Sequence, residues 1–252
     1  MNRIALITGA TSGIGRATAL TLSKNKFDII ITGRRTELLE DLKKEINDSS
    51  SEKVYILNFD VRNKEEVDKA IDSLPTEWKD IDVLVNNAGL AVGLNHIQEG
   101  VVDDWERMID TNIKGLLYVS RKVAPNMIAK KHGHIVNIGS TAGKEAYENG
   151  NVYCGTKHAV DAISKGMRID MLKEKIKVTA INPGMVETEF SIVRFKGDKE
   201  KAAKAYQGFT PLYGNDVADA ILYAVTRPEH VCINDMIITA TAQANSLYKV
   251  VD

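Results

Sequence analysis

Tyr153 and Lys157 stand four residues apart in a segment that reads Tyr-Cys-Gly-Thr-Lys. On a helix that spacing puts both side chains on one face, one above the other. A free phenol has a pKa of about 10 and is a poor acid–base catalyst at neutral pH. An ammonium beside it favours the phenolate and pulls that value down. The pair could thus be a proton donor with its own activator. Spacing alone does not establish this, because Tyr118 and Lys122 repeat it in the same chain.

A second chemical feature follows the first apolar run. Residues 8–15 read Thr-Gly-Ala-Thr-Ser-Gly-Ile-Gly and open a helical pattern. The glycines of this turn, Gly9, Gly13 and Gly15, permit a tight bend and a close approach of backbone to a pyrophosphate. The helix start adds free N–H groups and partial positive charge, with Thr11, Ser12 and Ile14 at the contact. The end of the second apolar run reads Thr-Gly-Arg-Arg, with no carboxylate. An acidic residue there would hold the ribose hydroxyls of NAD. Two guanidinium groups suit a 2′-phosphate instead. The cofactor expected is therefore NADP(H), with Arg34 as its principal phosphate contact and Arg35 in support. Asp60 and Val61, after the third run, could meet the adenine; Asp60 reads equally as a residue at a helix start.

Elements that could position these groups alternate along the chain. Residues 4–8, 28–32, 54–59, 83–86, 134–138, 178–181 and 236–239 read as strands. Several are apolar at consecutive positions, as strands buried on both faces are. Helical patterns occupy 37–47, 64–74, 105–129 with a bend near Gly115, 153–172 and 216–226. Such alternation argues for an α/β fold: a single-domain doubly wound Rossmann fold over residues 1–252, its central parallel sheet of about seven strands covered by helices on both faces. Residues 184–214 show no clear period and are long for a loop, which points to a lid over the site.

Bulk properties exclude several classes of function. The chain has 252 residues, 44% hydrophobic and 27% charged, and a net charge of −1. That describes a protein able to bury a large core. It builds no global field for nucleic acid or an anionic membrane. Two cysteines make no disulfide framework and fit a reducing compartment. No apolar stretch approaches a membrane span or a signal segment, so a cytoplasmic protein with a small-molecule substrate is expected. The five histidines show no metal spacing. Cys154 lacks a paired base and reads as a packing residue.

Together these motifs resemble the short-chain dehydrogenase/reductase family. Residues 8–15, Asn86 to Gly89, Asn112, Ser140, Tyr153 with Lys157, and Pro183-Gly184 stand in that family's order and spacing. The resemblance covers essentially the whole chain and separates the two tyrosine–lysine pairs, since Tyr118 has no upstream serine at a strand end. It implies roles. Tyr153 would be general acid in carbonyl reduction and base in alcohol oxidation. Lys157 would lower the Tyr153 pKa and bind the nicotinamide ribose. Ser140 would stabilise charge on the substrate oxygen. Asn112 would hold a water linking Lys157 to solvent. Asn87, Pro183, Gly184, Val186 and Thr188 would line the cofactor, Thr188 at the carboxamide.

A narrower likeness rests on Arg62-Asn63, Leu74-Pro75 with Trp78, residues 87–91, Asp104-Trp105, residues 139–143 and residues 193–198. These look like the NADP-dependent serine and 3-hydroxy acid dehydrogenases, which act on L-serine, L-allo-threonine and similar acids and are typically homotetramers. The chain departs from the more familiar bacterial member at Asn182, where that member has an acidic residue, and through much of its last fifteen residues. A carboxylate substrate invites a cation, and Arg194 in the lid is the expected partner. The alternatives are a 3-oxoacyl thioester reductase, a general carbonyl reductase, or a non-catalytic NADP sensor; the intact Ser140, Tyr153 and Lys157 argue against the sensor.

Overall fold

The computed structural model describes residues 2–251. Strand and helix alternate as β1 (Arg3–Ile7), α1 (Gly13–Lys24), β2 (Phe27–Gly33), α2 (Thr36–Ser49), β3 (Val54–Asn58), α3 (Lys64–Asp72), β4 (Ile81–Asn86), α4 (Val102–Ile109), α5 (Leu116–Lys130), β5 (His134–Ile138), α6 (Asn151–Asp170), β6 (Lys177–Pro183), β7 (Val186–Glu187), α7 (Phe190–Arg194), α8 (Lys199–Lys204), β8 (Leu212–Tyr213), α9 (Gly214–Val225) and β9 (Asp235–Ile238). Seven strands form one parallel sheet in the order β3-β2-β1-β4-β5-β6-β9. The doubly wound α/β fold expected from the sequence is the fold observed. The strand order reverses between β1 and β4, and ligands of such sheets bind beyond the strand ends at that point.

The consecutive apolar residues of the strands divide between two cores, because side chains alternate across a sheet. Ile29 and Ile31 pack with Leu22, Leu39, Leu42 and Ile221 on one face. Ile30 and Leu84 pack with Val67, Val119, Val123 and Met127 on the other. One buried polar chain crosses the second core. Asn86 donates to Ser120 and to Asn137, and Asn137 donates to Ser164, each at 2.9 Å. These bonds fix α5 and α6 against β4 and β5, the strands that carry the site.

The long helical region expected over 105–129 is present, and its irregularity near Gly115 is a π-helical stretch, Asp110–Gly115, by which α4 passes into α5. A Cβ on Gly115 would lie 2.8 Å from a Val61 methyl, so the chain closes on the end of β3 only with glycine there. One expectation needs correction: residues 184–214 are not irregular. They hold α7, α8 and a two-stranded parallel ribbon, β7 with β8. The Tyr206 hydroxyl donates to the Val186 carbonyl at 2.8 Å and lies 2.6 Å from the Ser191 hydroxyl, tying the ribbon to the short helices.

Other residues singled out in the sequence have structural places. Tyr118 packs against the second core, and Lys122 pairs at 2.7 Å with Asp72 on the surface. The buried His134 ring lies 2.7 Å from the Thr179 hydroxyl, and burial, with Lys177 and Arg3 nearby, holds its pKa at about 3. Cys154 is buried beside Met108 and Ala142. Asn182 donates to Asp235 on the neighbouring strand. Among the described residues no helix is long and apolar enough to cross a membrane.

Candidate active site

A cleft of about 710 Å³ opens beyond the carboxyl ends of the strands. Gly9, Thr11, Ser12, Gly13 and Ile14 line one end; Ser140, Tyr153, Lys157 and Arg194 line the other. The turn between β1 and α1 is shaped by its glycines. Gly9 and Gly13 have φ of +67° and +54°, where a side chain is strained. A Cβ on Gly9 would lie 2.9 Å from the Ala88 Cα, and one on Gly15 would lie 2.4 Å from the Gly9 carbonyl oxygen. Gly15 is buried behind the turn and does not line the cleft. Asn87 locks this geometry, donating from its amide to the carbonyls of Thr8 and Gly9 at 2.9 and 3.1 Å. The Thr8 hydroxyl accepts from the backbone of Asn87 and Ala88, each at 3.0 Å.

The two arginines after β2 have different surroundings. Arg35 is held on the turn, donating to Thr11 and Ser12 at 2.8 and 3.1 Å and pairing with Glu189 of the lid at 3.0 Å. Arg34 is the more exposed, and its nearest acid is Asp60 at 3.6 Å. Asp60 is itself clamped by Arg62 at 2.6 Å. Burial pushes its carboxyl up, but the bonds from Arg62 and the charge of Arg34 outweigh that and leave it below its ordinary value. Asp60 and Val61 both line the cleft. A dinucleotide fits these residues: a turn whose glycines leave no room for side chains, a helix start behind it, and the exposed guanidinium of Arg34, in a long contact with Asp60, to meet a phosphate.

At the far end, α6 carries Tyr153 and Lys157, both buried. Ser140 follows β5 with an extended backbone and accepts from the Ala142 N–H at 3.1 Å, which turns the chain into a short 3₁₀ helix, Thr141–Gly143. That helix packs on α6 so closely that a Cβ on Gly143 would lie 2.7 Å from the Lys157 carbonyl oxygen. Lys157 donates to the Ile138 carbonyl at 2.9 Å, and its ammonium lies 6.0 Å from the Tyr153 ring centre. Burial lowers the Lys157 pKa to about 8.

The electrostatics of Tyr153 differ from expectation. Burial drives its phenol well above the ordinary value, and neighbouring Tyr147 adds to this. The groups that pull it back are the Ser140 hydroxyl and Arg194. Lys157 Nζ lies 6.0 Å from the ring centre. Asn112 is held on both sides by the fold. Its oxygen accepts from the Leu90 N–H at 2.8 Å, and its amide donates to the Leu90 carbonyl and to Thr156 at 2.8 and 3.0 Å. With its oxygen and amide so engaged, the side chain clamps the loop after β4 to α6.

The lid closes the cleft. Gly184 donates to the Ile238 carbonyl at 2.8 Å, and Pro183, Gly184, Val186 and Thr188 all line the space. Thr188 lies against Gly13, Phe190 meets the Tyr153 ring edge-on at 5.7 Å, and Lys196 pairs with the buried Asp104 of α4 at 2.7 Å. Arg194 stands over both Tyr147 and Tyr153. Tyr147, Glu189, Phe190 and Gln243 line the cleft without any signal in the sequence, since none sits in a motif or a periodic face.

The model of the short chain dehydrogenase family matches residues 3–199. The NADP-dependent 3-hydroxy acid dehydrogenase YdfG of Salmonella typhi is 47% identical, over 96% of this chain and 96% of that protein. The NADP-dependent 3-hydroxy acid dehydrogenase of Schizosaccharomyces pombe is 42% identical, over 97% and 95%. Among solved structures, the closed form of a serine dehydrogenase complexed with NADP⁺ superposes with a TM-score of 0.93 at 45% identity, covering 99% of both chains. A family match over most of the chain, relatives of nearly equal length and a shared fold lead to one statement: the chain belongs to the short-chain dehydrogenase family.

Proposed function

We propose that this protein is an NADP-dependent oxidoreductase that interconverts small 3-hydroxy acids, such as L-serine, L-allo-threonine and 3-hydroxypropionate, with the matching 3-oxo compounds. The observation that carries this reading is the convergence of Ser140, Tyr153 and Lys157 at one end of a cleft whose other end is a glycine turn flanked by Arg34 and Arg35. Relatives named for this activity, nearly equal in length to this chain, support the substrate class.

The cofactor, when bound, supplies or accepts the hydride. Arg34 binds its 2′-phosphate, Arg35 supports it, and Gly9, Thr11, Ser12, Gly13 and Ile14 hold the pyrophosphate. Gly15 gives the turn its room, Asp60 and Val61 border the adenine, and Asn87 fixes the wall between. Pro183, Gly184, Val186 and Thr188 close on the nicotinamide. Tyr153 gives its proton to the substrate oxygen in reduction and takes it back in oxidation. Ser140 donates a hydrogen bond to the same oxygen, where charge develops. Lys157 holds the nicotinamide ribose and, with a pKa of about 8, can take up and release a proton near neutral pH. Asn112 positions α6, and Arg194 meets the carboxylate. A homotetramer would have apolar surface to bury at the exposed Ile169 and Leu172 near the end of α6 and Ile237 on the edge strand β9. A cytoplasmic location suits the free Cys154 and Cys232.

The test compares NADP⁺ with L-serine or 3-hydroxypropionate against NADPH with an acetoacetyl thioester, in wild type and Tyr153→Phe. We expect the acids to be preferred, and the variant to bind NADPH normally while kcat/KM falls by about 10²–10⁴. Undiminished turnover by the variant would overturn the mechanism; preference for the thioester would overturn the substrate class.

A further inference from the structure

Arg194 ends α7, the lid helix nearest the proton donor. Its carbonyl accepts from the Gly93 N–H at 3.0 Å, which pins this part of the lid to the loop after β4. Its guanidinium carbon lies 5.3 Å from the Tyr147 ring centre and 5.4 Å from that of Tyr153. Nη2 donates to the Tyr147 hydroxyl at 2.5 Å. Nε is buried and has no hydrogen-bond partner, and the guanidinium meets no carboxylate among the described residues. A buried donor left unmade is costly and points to a partner supplied from outside.

The direction of the Arg194–Tyr147 bond matters. A phenol both donates and accepts, whereas a guanidinium only donates. The Tyr147 oxygen is the acceptor, so its own hydrogen can turn from the neighbouring Cys154 sulfur to a third group. Burial, above all, raises the Tyr147 pKa, so it stays a neutral donor at working pH. Two donors, one charged and one neutral, thus line the cleft beside Tyr153. A carboxylate offers two oxygens to such a pair. In a 3-hydroxy acid the carboxylate carbon lies two carbon–carbon bonds from the reacting carbon, roughly 2.5–3 Å away. That span suits a cation placed beside the ring of the proton donor.

We propose that Tyr147 and Arg194 together form the receptor for the substrate carboxylate, the Tyr147 O–H donating to one oxygen and the guanidinium of Arg194, which has no carboxylate partner among the described residues, donating to the other. The proposal rests on the reading of this cleft as the site of a hydroxy-acid oxidoreductase and adds the residue that makes the acid group a requirement. Tyr147 is then a specificity residue: it orients the guanidinium and supplies the second donor.

The test is calorimetric titration of the NADPH complex with 3-hydroxypropionate, an alcohol that cannot react with reduced cofactor, and with uncharged 1,3-propanediol. Tyr147→Phe keeps the ring under the guanidinium and removes only the hydroxyl. We expect it to weaken binding of the acid by about 10–100-fold, the range for a hydrogen bond to a charged group, with diol and NADPH binding unchanged. Arg194→Ala should weaken the acid at least as much. Equal affinity of wild type and Tyr147→Phe for the acid, a parallel loss of the diol, or no binding of the acid to wild type would each overturn the receptor. Binding that depends on Tyr147 without NADP-coupled turnover of any hydroxy acid would leave the receptor standing and overturn the proposed function instead. Turnover without dependence on Tyr147 would do the reverse.

Discussion

Replacing Lys157 by methionine tests whether this amine is held in the fold against its own solvation. The side chain is 7% exposed, and burial lowers its pKa from 10.5 to about 8. Each tenfold change in proton affinity is worth about 1.4 kcal/mol, so charging Lys157 costs the fold about 3 kcal/mol at neutral pH. Between pH 8 and 10.5 the unfolded chain binds the proton and the folded protein does not. Stability therefore rises with pH across that window, is complete above 10.5, and is lost as pH falls toward 8. Methionine removes this term and gives up the hydrogen bond to the Ile138 carbonyl, a loss of about 1–3 kcal/mol. At pH 7 the two effects nearly offset, so Lys157→Met should match wild type within about 2 kcal/mol or exceed it. The decisive quantity is the difference between the two proteins as pH rises. Tyr153, whose pKa is raised, loses stability above its ordinary value of 10.0 in both proteins and cancels from that difference. Urea denaturation of both, without cofactor, at pH 7, 8, 9 and 10 is the assay. Wild type should gain on the variant by about 1.4 kcal/mol per pH unit above 8 and by nothing below. A difference that stays constant from pH 7 to 10 would refute the reasoning, because the lysine would then hold its proton in the fold as tightly as in water.

Two further perturbations address the other end of the cleft. Arg34→Ala should weaken NADPH binding by roughly 10–100-fold and leave NADH binding nearly unchanged, as a charge-assisted contact to one phosphate requires; equal losses for both cofactors, measured by fluorescence titration, would place Arg34 away from the phosphate. Gly9→Ala puts a methyl into a left-handed backbone 2.9 Å from the Ala88 Cα. It should cost at least about 1–2 kcal/mol of stability and weaken both cofactors alike, and an unchanged thermal midpoint would show that the turn can yield.

What the sequence reveals about this site follows from how local each determinant is. The strands are legible to within a residue or two, because burial on both faces demands apolar residues at every position, as at Ile29, Ile30 and Ile31. The glycine turn is legible because Gly9 and Gly13 occupy conformations that other residues avoid. The π-helical stretch is not, since a slip in backbone hydrogen bonding leaves the side-chain period almost intact; only Gly115, against Val61, hints at it. The lid is hidden for a different reason. Its strands have two residues each and its helices five and six, too few to show any period, and distant partners hold them in place: Gly93 for Arg194, Asp104 for Lys196. The tyrosine–lysine pair lies between these cases. Its spacing is a local fact and its placement on one buried helix face follows. Its electrostatic sense does not follow, because the proton affinity of a buried phenol sums over every wall of the cleft. Here burial raises Tyr153 and a lid arginine opposes it. The arginine proposed to meet the substrate acid is therefore also one that tunes the proton donor, and a carboxylate bound to Arg194 would offset part of the positive charge that favours the phenolate. Binding the acid then raises the proton affinity of Tyr153, which holds the phenol in the protonated form that carbonyl reduction requires. That coupling joins two roles no spacing in the sequence connects.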